Sequence, residues 1–313
     1  MTQSQGEFAG GMSIAAVERD TGIAKDTLRV WERRYGFPKP ARDRAGDRAY
    51  PPDQVARLRR IKRLVDAGLR PARVVHLSAE ALDALTKETF GRRVGEASAA
   101  PPSTVIAPYI DLLLHHQTDV LHHALWLDAM RLGLANFVVD IVSPLNAAVG
   151  DAWLRGDLAI HEEHAYTEIV QRVLRTGMTA ASRSLAVGAR PRIVLTTVPR
   201  EPHTLGLLMA EAILTLEGCQ CIQLGAQVPL TDIVAAVQAH AADVLVLSFS
   251  PLLQPAQVLE PLAELRARLP AGLDIWAGGS STALSRQLPG IEVMKDLTQL
   301  SLGVRRWKAH RGI

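Results

Sequence analysis

His203 stands in the segment PREPHTLG, residues 199–206, between an apolar run and an amphipathic one. Glu201 precedes it by two residues, and Gly206 follows it by three. An imidazole in this place could be a catalytic base, a metal ligand or a cap on the next helix. A nearby carboxylate can accept the proton of one ring nitrogen, which fixes the tautomer and directs the other nitrogen to a metal. The pattern therefore favours a metal-binding imidazole that Glu201 supports.

Small residues end two later apolar runs. Ser248 lies at the end of the run DVLVLSFS, and Gly278 and Gly279 close the run DIWAGG. Gly206 opens the next helix without a side chain, so a bulky group could lie against the backbone. Together these residues predict a slot beside the imidazole.

Five apolar runs must position these side chains. Amphipathic stretches separate the runs, and this alternation predicts a parallel sheet with helices on both faces. Ligands bind such sheets at the carboxyl ends of the strands, where His203 would lie. The runs are RIVLTTV (192–198), CIQLG (221–225), DVLVLSFS (243–250), DIWAGG (274–279) and EVMKD (292–296).

Residues 104–187 have helical periodicity in four segments, which predicts a helix bundle. Gly156 and Asp157 can end one helix and start the next, so Trp153 could converge with Glu163 and His164 on one cavity. Taken alone, Trp153 would be a core aromatic and the two polar residues would be solvated. The paired histidines are expected to be surface or packing residues, since a metal needs a convergent set; they are His115, His116, His122 and His123.

Basic charge is concentrated at the N-terminal end. Residues 1–95 hold 19 Lys and Arg against 12 Asp and Glu, a net charge of +7, whereas residues 96–313 hold 16 against 20, a net charge of −4. A basic module on an acidic body indicates that one end contacts a polyanion.

Composition also bounds the class of protein. At 48% hydrophobic residues and 21% charged residues, the chain has the profile of a soluble globular protein. We find no apolar run of about 18 residues and no signal peptide, so we expect a cytoplasmic protein without a membrane partner. Cys219 and Cys221 form neither a disulfide framework nor a zinc site.

Residues 13–36 predict two short helices joined by a turn at Gly22. Leu28 and Trp31 would pack inward, while polar and basic side chains populate the outer face of the second helix. An arginine-rich turn between Arg44 and Arg48 and a basic helix over 51–67 would suit phosphate contacts.

This segment resembles the MerR family of winged helix-turn-helix transcription factors, most specifically in LRVWERRYG at 28–36 and RAY at 48–50. The resemblance implies a double-stranded DNA operator as partner, and a dimer. The candidate DNA-binding residues are Lys25, Thr27, Arg29, Arg33, Arg34, Arg42, Arg44, Arg48 and Tyr50.

The later motifs EPHTLG, SFS and GG resemble the cobalamin-binding pattern Asp-x-His-x-x-Gly, Ser-x-Leu, Gly-Gly. The resemblance implies that His203 is the lower axial cobalt ligand and displaces the dimethylbenzimidazole of the cofactor. It further implies that Glu201 supports His203, and that the nucleotide tail lies along a set of small residues. Two positions depart from the pattern, since Glu201 replaces Asp and Ser250 replaces Leu. The residues that would line the tail are Ser248, Gly278 and Gly279, and the cofactor-binding residues also include Gly206 and Ser250.

Trp153, nine further residues and then Glu163–His164 resemble a signature of the adenosylcobalamin photoreceptor repressors of the CarH/LitR type. The resemblance implies that Trp153 packs against the adenosyl group, with Glu163 and His164 in the same pocket. It also implies a homo-oligomer, dimer or tetramer, that represses carotenoid-type genes in the dark and leaves DNA in light. Known members have a His after that Trp. Here Leu154 cannot bind cobalt, so His161, His164 or water would take the position.

The fold class expected is multidomain α plus α/β. A winged helix-turn-helix over 12–80 and a linker over 81–103 precede a four-helix bundle cap over 104–187. A Rossmann-like, flavodoxin-type cobalamin-binding domain over 188–313 follows. The linker prediction rests on GEASAAPPS at 95–103, which is small, polar and proline-bearing.

Two alternatives remain open from the residues. One is a MerR-type regulator that senses another corrinoid, a bilin, haem or a redox signal, which Leu154 keeps possible. The other is a corrinoid methyltransfer module, against which the basic helix-turn-helix argues.

Overall fold

The computed structural model describes residues 11–43, 46–66, 69–94, 104–183, 185–186 and 188–313. Contacts divide the chain into two compact units. Among the described residues, the first contains residues 11–94 with 154–156, and the second contains residues 104–153 with 157–313, with the gaps given above.

The first unit is a small helical module with a three-stranded antiparallel sheet of order β1-β3-β2. The Ser13 side chain caps α1 by accepting a hydrogen bond from the Ala16 N–H at 3.2 Å. Gly22 and Gly36, at φ 68° and 69°, end α1 and α2 in the left-handed conformation. The elements are β1 (Met12–Ser13), α1 (Ile14–Thr21), α2 (Lys25–Tyr35), β2 (Ala41–Arg42), β3 (Arg48–Tyr50), α3 (Pro52–Asp66), α4 (Pro71–Val74) and α5 (Ala79–Val94).

Leu28 and Trp31 of α2 are buried in this module, as the helical spacing predicts. The predicted linker is shorter than expected at its start, because residues 81–94 continue α5. Leu82 in that helix is fully buried, which explains why the segment is helical rather than a connector. Residues 95–103, the sequence on which the linker prediction rested, lie outside the described residues.

The second unit begins with four helical segments, as predicted for the cap. The third segment runs without a break from Leu134 to Arg155. By length and composition alone this helix could cross a membrane. Val142 and Leu145, however, are buried in the bundle, so the helix has a core to fill. The elements are α6 (Ala107–Leu114), α7 (Thr118–Leu132), α8 (Leu134–Asn136), a π-helical turn (Phe137–Val142), α9 (Ser143–Arg155) and α10 (Ile160–Arg183).

The rest of this unit is a five-stranded parallel sheet of order β5-β4-β6-β7-β8, which is the flavodoxin-like order. Each strand lies within one residue of the predicted run or inside it, so the predicted fold class is confirmed. The elements are β4 (Arg192–Thr196), α11 (Leu205–Leu216), β5 (Gln220–Gly225), α12 (Leu230–Ala239), β6 (Val244–Phe249), α13 (Pro255–Arg268), β7 (Asp274–Gly279), β8 (Glu292–Met294) and α14 (Thr298–Arg311).

Alternate residues of the strands point into two separate cores. Ile193 and Leu195 join the core that contains α11 and the helical cap, whereas Val194 joins the core under α12 and α13. Helix α11 is apolar on nearly all sides because it lies between the sheet and the cap, in contact with β4, β6 and α10. The cap and one face of the sheet therefore share a single hydrophobic core.

Candidate cofactor site and nucleic-acid interface

Glu201 lies in the loop between β4 and α11, at the carboxyl edge of the sheet, and is fully buried. Its Oε1 is 2.6 Å from Nδ1 of His203 and also accepts the His203 backbone N–H at 3.1 Å. Its Oε2 accepts the backbone N–H of Ser250 at 2.7 Å. The carboxylate thus ties the β4–α11 loop to the end of β6 and fixes the orientation of the imidazole.

Two opposing effects act on the pKa of Glu201. Burial raises the pKa, but the hydrogen bonds from His203 and from the Ser250 N–H lower it, and the net result lies below the ordinary value. Glu201 is therefore ionised at neutral pH and suited to accept the proton on His203 Nδ1.

The His203 side chain is 52% exposed. Since Nδ1 is hydrogen-bonded to Glu201, a metal would have to be bound by Nε2. The structure thus brings together Glu201 and His203 in the arrangement that their spacing predicts.

The register of two strands places the small residues side by side. Ser248 is paired with Gly278 and Phe249 with Gly279 across β6 and β7. Gly206, at the start of α11, approaches so closely that a Cβ there would lie 2.6 Å from Ser248 Oγ. Gly279 has φ +117°, and a Cβ there would overlap the Phe249 carbonyl oxygen. At Gly278 a Cβ would make only ordinary contact, 3.5 Å from the Met294 carbonyl oxygen.

Ser250 adds a polar group to the same edge. Its Oγ is buried and has no hydrogen-bond partner within the described protein. A hydroxyl in that state fits a site whose ligand supplies the partner. A half-exposed imidazole with a fixed tautomer, a cleft without Cβ atoms and an unpaired hydroxyl together fit a large metal-bearing group such as a corrin with its tail.

The three cap residues of the predicted site lie at the two sides of one helix connection. Trp153 is near the end of α9, partly buried against the shared core. Glu163 and His164 are in the first turns of α10, with His164 Nδ1 2.9 Å from Glu163 Oε2. The Thr167 hydroxyl donates to Glu163 Oε1 at 2.9 Å. The structure joins Glu163 to His164, while a shared pocket with Trp153 stays a prediction.

The outer face of α2 carries the predicted basic side chains. Arg33 and Arg34 are exposed, and Thr27 is half-buried. Lys25 Nζ lies 3.3 Å from Glu18, and Arg29 is paired with Asp26 at 2.8 Å. These surface pairs are weak enough for a phosphate to compete with them.

The turn between β2 and β3 forms the wing. Arg42 donates to the Gly46 carbonyl oxygen at 2.8 Å, and Arg48 is bonded to Glu32 of α2 at 2.9 Å. The structure corrects one expectation, because Tyr50 is fully buried and supports the wing from the module core instead of facing a DNA groove. Arg44 lies outside the described residues.

Sequence reasoning missed two features of these sites. It did not foresee the Ser250 N–H on Glu201, since the two residues are 49 positions apart. His116 is exposed, as predicted, but the sequence did not indicate that it lies beside His161 and Glu162. Of the two side chains that form a capping box, the sequence shows only one, Glu162.

Comparison with known families finds two matches along the chain. Residues 12–80 match the MerR HTH family regulatory protein model, and residues 191–294 match the B12 binding domain model. The monomethylamine corrinoid protein of Methanosarcina barkeri aligns with 66% of this chain and 100% of its own, with a TM-score of 0.52. At 12% identity, that likeness shows the fold alone.

Three curated relatives are transcriptional regulators. The HTH-type transcriptional regulator MlrA of Escherichia coli is 43% identical over 58 residues, 18% of this chain and 24% of its own. The HTH-type transcriptional repressor CarA of Myxococcus xanthus is 27% identical over 262 residues, 83% of this chain and 84% of its own. The repressor CarH of the same organism is 30% identical over 262 residues, 83% of this chain and 86% of its own. The chain therefore belongs to the family of MerR-type transcriptional regulators with a B12-binding domain that includes CarH, and it is a cobalamin-binding regulator and not an enzyme.

Proposed function

We propose that this protein is a light-responsive, adenosylcobalamin-dependent repressor, which binds its operator in the dark and leaves it on illumination. The observation that carries the proposal is the buried carboxylate of Glu201, bonded to His203 Nδ1 and to the Ser250 N–H. This arrangement holds one imidazole at the carboxyl edge of the sheet with Nδ1 engaged, which supports the proposal that Nε2 would bind cobalt from below.

The residues that would hold the cofactor lie around this imidazole. Ser248, Gly278 and Gly279 would line the nucleotide tail along the β6–β7 pair, with Gly206 opposite. The buried Ser250 hydroxyl would gain a hydrogen-bond partner there. Other forms of cobalamin could bind the same residues, because none of them would contact the upper ligand of the cofactor.

The upper side belongs to the cap. Trp153, Glu163 and His164 would contact the adenosyl group, as in the family signature. Adenosylcobalamin, when bound, supplies a cobalt–carbon bond that visible light breaks. Loss of the adenosyl contact at Trp153 would then change the relative stability of two cap arrangements, which is the only way a ligand can switch a protein.

Repression would depend on several DNA-binding modules acting together. A dimer or tetramer places linked modules on one operator, which raises their effective concentration without new base contacts. The basic faces of α2 and of the wing would supply the phosphate and base contacts. The target is expected to be a carotenoid-type gene and the compartment the cytoplasm, without a membrane partner.

The first experiment tests the lower ligand. The His203→Ala protein is titrated with adenosylcobalamin in the dark by visible absorption, beside His240→Ala. His240 ends α12 just before β6, at the opposite edge of the sheet, so it is a matched control. We expect at least about tenfold weaker binding for His203→Ala and unchanged binding for His240→Ala. Equal affinity of the two variants would exclude His203 as the ligand.

The second experiment tests the switch. The molar mass of the protein loaded with adenosylcobalamin is measured by light scattering, in the dark and after green light. Each measurement is made with and without a DNA duplex from the region upstream of the protein's own gene. We expect an oligomer bound to DNA in the dark, and a smaller species with weaker DNA binding after illumination. Identical mass and DNA affinity in both conditions would contradict the light response.

A second candidate signal follows from Leu154. Because this side chain cannot bind cobalt, a member with Leu here could sense another corrinoid, a bilin, haem or a redox change. Purification from cells fed each compound and a comparison of visible spectra would distinguish these signals.

A further inference from the structure

Three side chains of the cap converge on one point. His116 lies in the turn between α6 and α7, and His161 and Glu162 lie in the first turn of α10. Each offers one ligand atom, and these atoms all lie within 4.8 Å of one another. The two imidazole rings are 5.7 Å apart between centroids, and His116 Nδ1 is 3.4 Å from Glu162 Oε1.

The backbone holds His116 in this position. The turn after α6 is a Schellman motif, in which the Gln117 N–H bonds to the Leu112 carbonyl at 2.9 Å and the His116 N–H to the Leu113 carbonyl at 3.1 Å. His116 occupies the left-handed position of this motif, at φ 56°. Glycine is usual there, since a side chain costs about 1 kcal/mol in that conformation. The chain therefore holds a strained histidine where glycine would carry no such strain.

Glu162 is oriented from the other side. Its Oε2 accepts the Ala159 N–H at 2.6 Å, which is the backward half of a capping box at the start of α10. Glu162 is only 8% exposed. Because Oε2 is engaged by the backbone, Oε1 is the oxygen directed at His116. A buried carboxylate is costly unless a cation or hydrogen-bond donors compensate it.

We propose that His116, His161 and Glu162 bind one zinc-class divalent cation. Two imidazoles and one carboxylate are a ligand set that zinc takes in proteins, with a fourth position left for water. Imidazole nitrogen disfavours calcium and magnesium, which prefer oxygen ligands. Ligand atoms of a tetrahedral zinc site are about 3.3 Å apart, so the exposed histidines must move closer by up to about 1.5 Å.

The bound cation would link the α6–α7 turn to the start of α10. Glu163 and His164 follow Glu162 directly, so occupancy would restrain the helix turn that carries them. The inference rests on the ligand geometry alone and does not require the proposed light response.

The test uses tag-free, full-length, cobalamin-free protein treated with a chelator and titrated with zinc chloride by calorimetry. We compare wild type with His161→Ala and Glu162→Gln. His161 is exposed, so its loss leaves the bundle core intact, and the side-chain amide introduced by Glu162→Gln retains an acceptor for the Ala159 N–H. His115→Ala is the matched control, because that residue adjoins His116 but pairs with Asp111.

We expect one zinc per chain, with at least about tenfold weaker binding in both test variants and wild-type binding in the control. Zinc should also raise the melting temperature of wild type and of the control, but not of His161→Ala, and magnesium should have no effect. Three results would overturn the site: no saturable zinc binding, equal affinity in wild type and His161→Ala, or loss of binding in His115→Ala. A protein that binds no zinc would leave the approach of His116 to Glu162 as a polar contact only.

Discussion

At the scale of single residues, Gly279 illustrates how the edge of the sheet depends on missing side chains. It ends β7 with φ +117°, a conformation that residues with a Cβ rarely adopt, and a Cβ there would overlap the Phe249 carbonyl oxygen. Its neighbour Gly278 has ordinary clearance. Of these two adjacent glycines with the same predicted role, only Gly279 is therefore required by the backbone geometry.

This difference gives a prediction for cofactor-free protein. Gly279→Ala should lower the free energy of unfolding by about 2–4 kcal/mol, because the Cβ adds backbone overlap to the strain of a positive φ. Gly278→Ala should lower it by less than about 1 kcal/mol. Urea denaturation of both variants measures the effect. Equal stability of the two would contradict the close approach at Gly279.

At the scale of elements, the two faces of α2 have different roles, since one packs in the core and the other is exposed. Leu28 and Trp31 fasten the helix to the module core, while Arg33 and Arg34 remain exposed. Arg48 of the wing is held by Glu32 of the same helix at 2.9 Å. Helix and wing are thus braced together, and the exposed arginines are presented on a fixed surface.

The exposed face predicts a change in salt dependence. Arg33→Ala should make the slope of log K against log salt less negative by about 1 on a duplex of arbitrary sequence, since one phosphate contact is lost. Arg305→Ala, an exposed arginine of α14, is the control and should leave the slope unchanged. Fluorescence anisotropy at several salt concentrations measures both. A slope that changes equally in the two variants would contradict a role specific to α2.

At the scale of the whole molecule, α11 makes the cap and the sheet domain one folding unit. Its residues belong to the hydrophobic core that includes the bundle and one face of the sheet. The proposed switch in the cap would therefore act against a shared core, and not through the free separation of two domains. Any cap movement is expected to preserve the packing of α10 on α11.

The shared core predicts coupled stability. Leu208→Ala in α11 should lower the opening free energies of α10 and of β6 by the same amount, about 2–5 kcal/mol, because the cavity destabilises both. Hydrogen exchange of cofactor-free protein measures each segment, and α2 in the first unit serves as the internal control. If only one of α10 and β6 exchanged faster, the cap and the sheet would be separate cooperative units.

The sequence by itself determined the order of elements and much of the candidate edge. Strand and helix periods are local properties of side-chain type, so all five runs of the sheet and all four segments of the cap could be predicted. The pairing of Glu201 with His203 was also predictable, because two residues in one short loop must lie close together. Strand ends then placed the small residues at the same edge.

Only the tertiary structure decided which distant groups meet. No local pattern relates Ser250 to Glu201, whose side chain accepts its N–H, or His116 to Glu162, which it meets in the cap. No local pattern shows that Tyr50 is buried either. The two-sided burial of α11 likewise depends on how the cap packs on the sheet. Such contacts arise because folding buries apolar faces against partners distant in sequence, and the polar groups must then be satisfied wherever that packing places them.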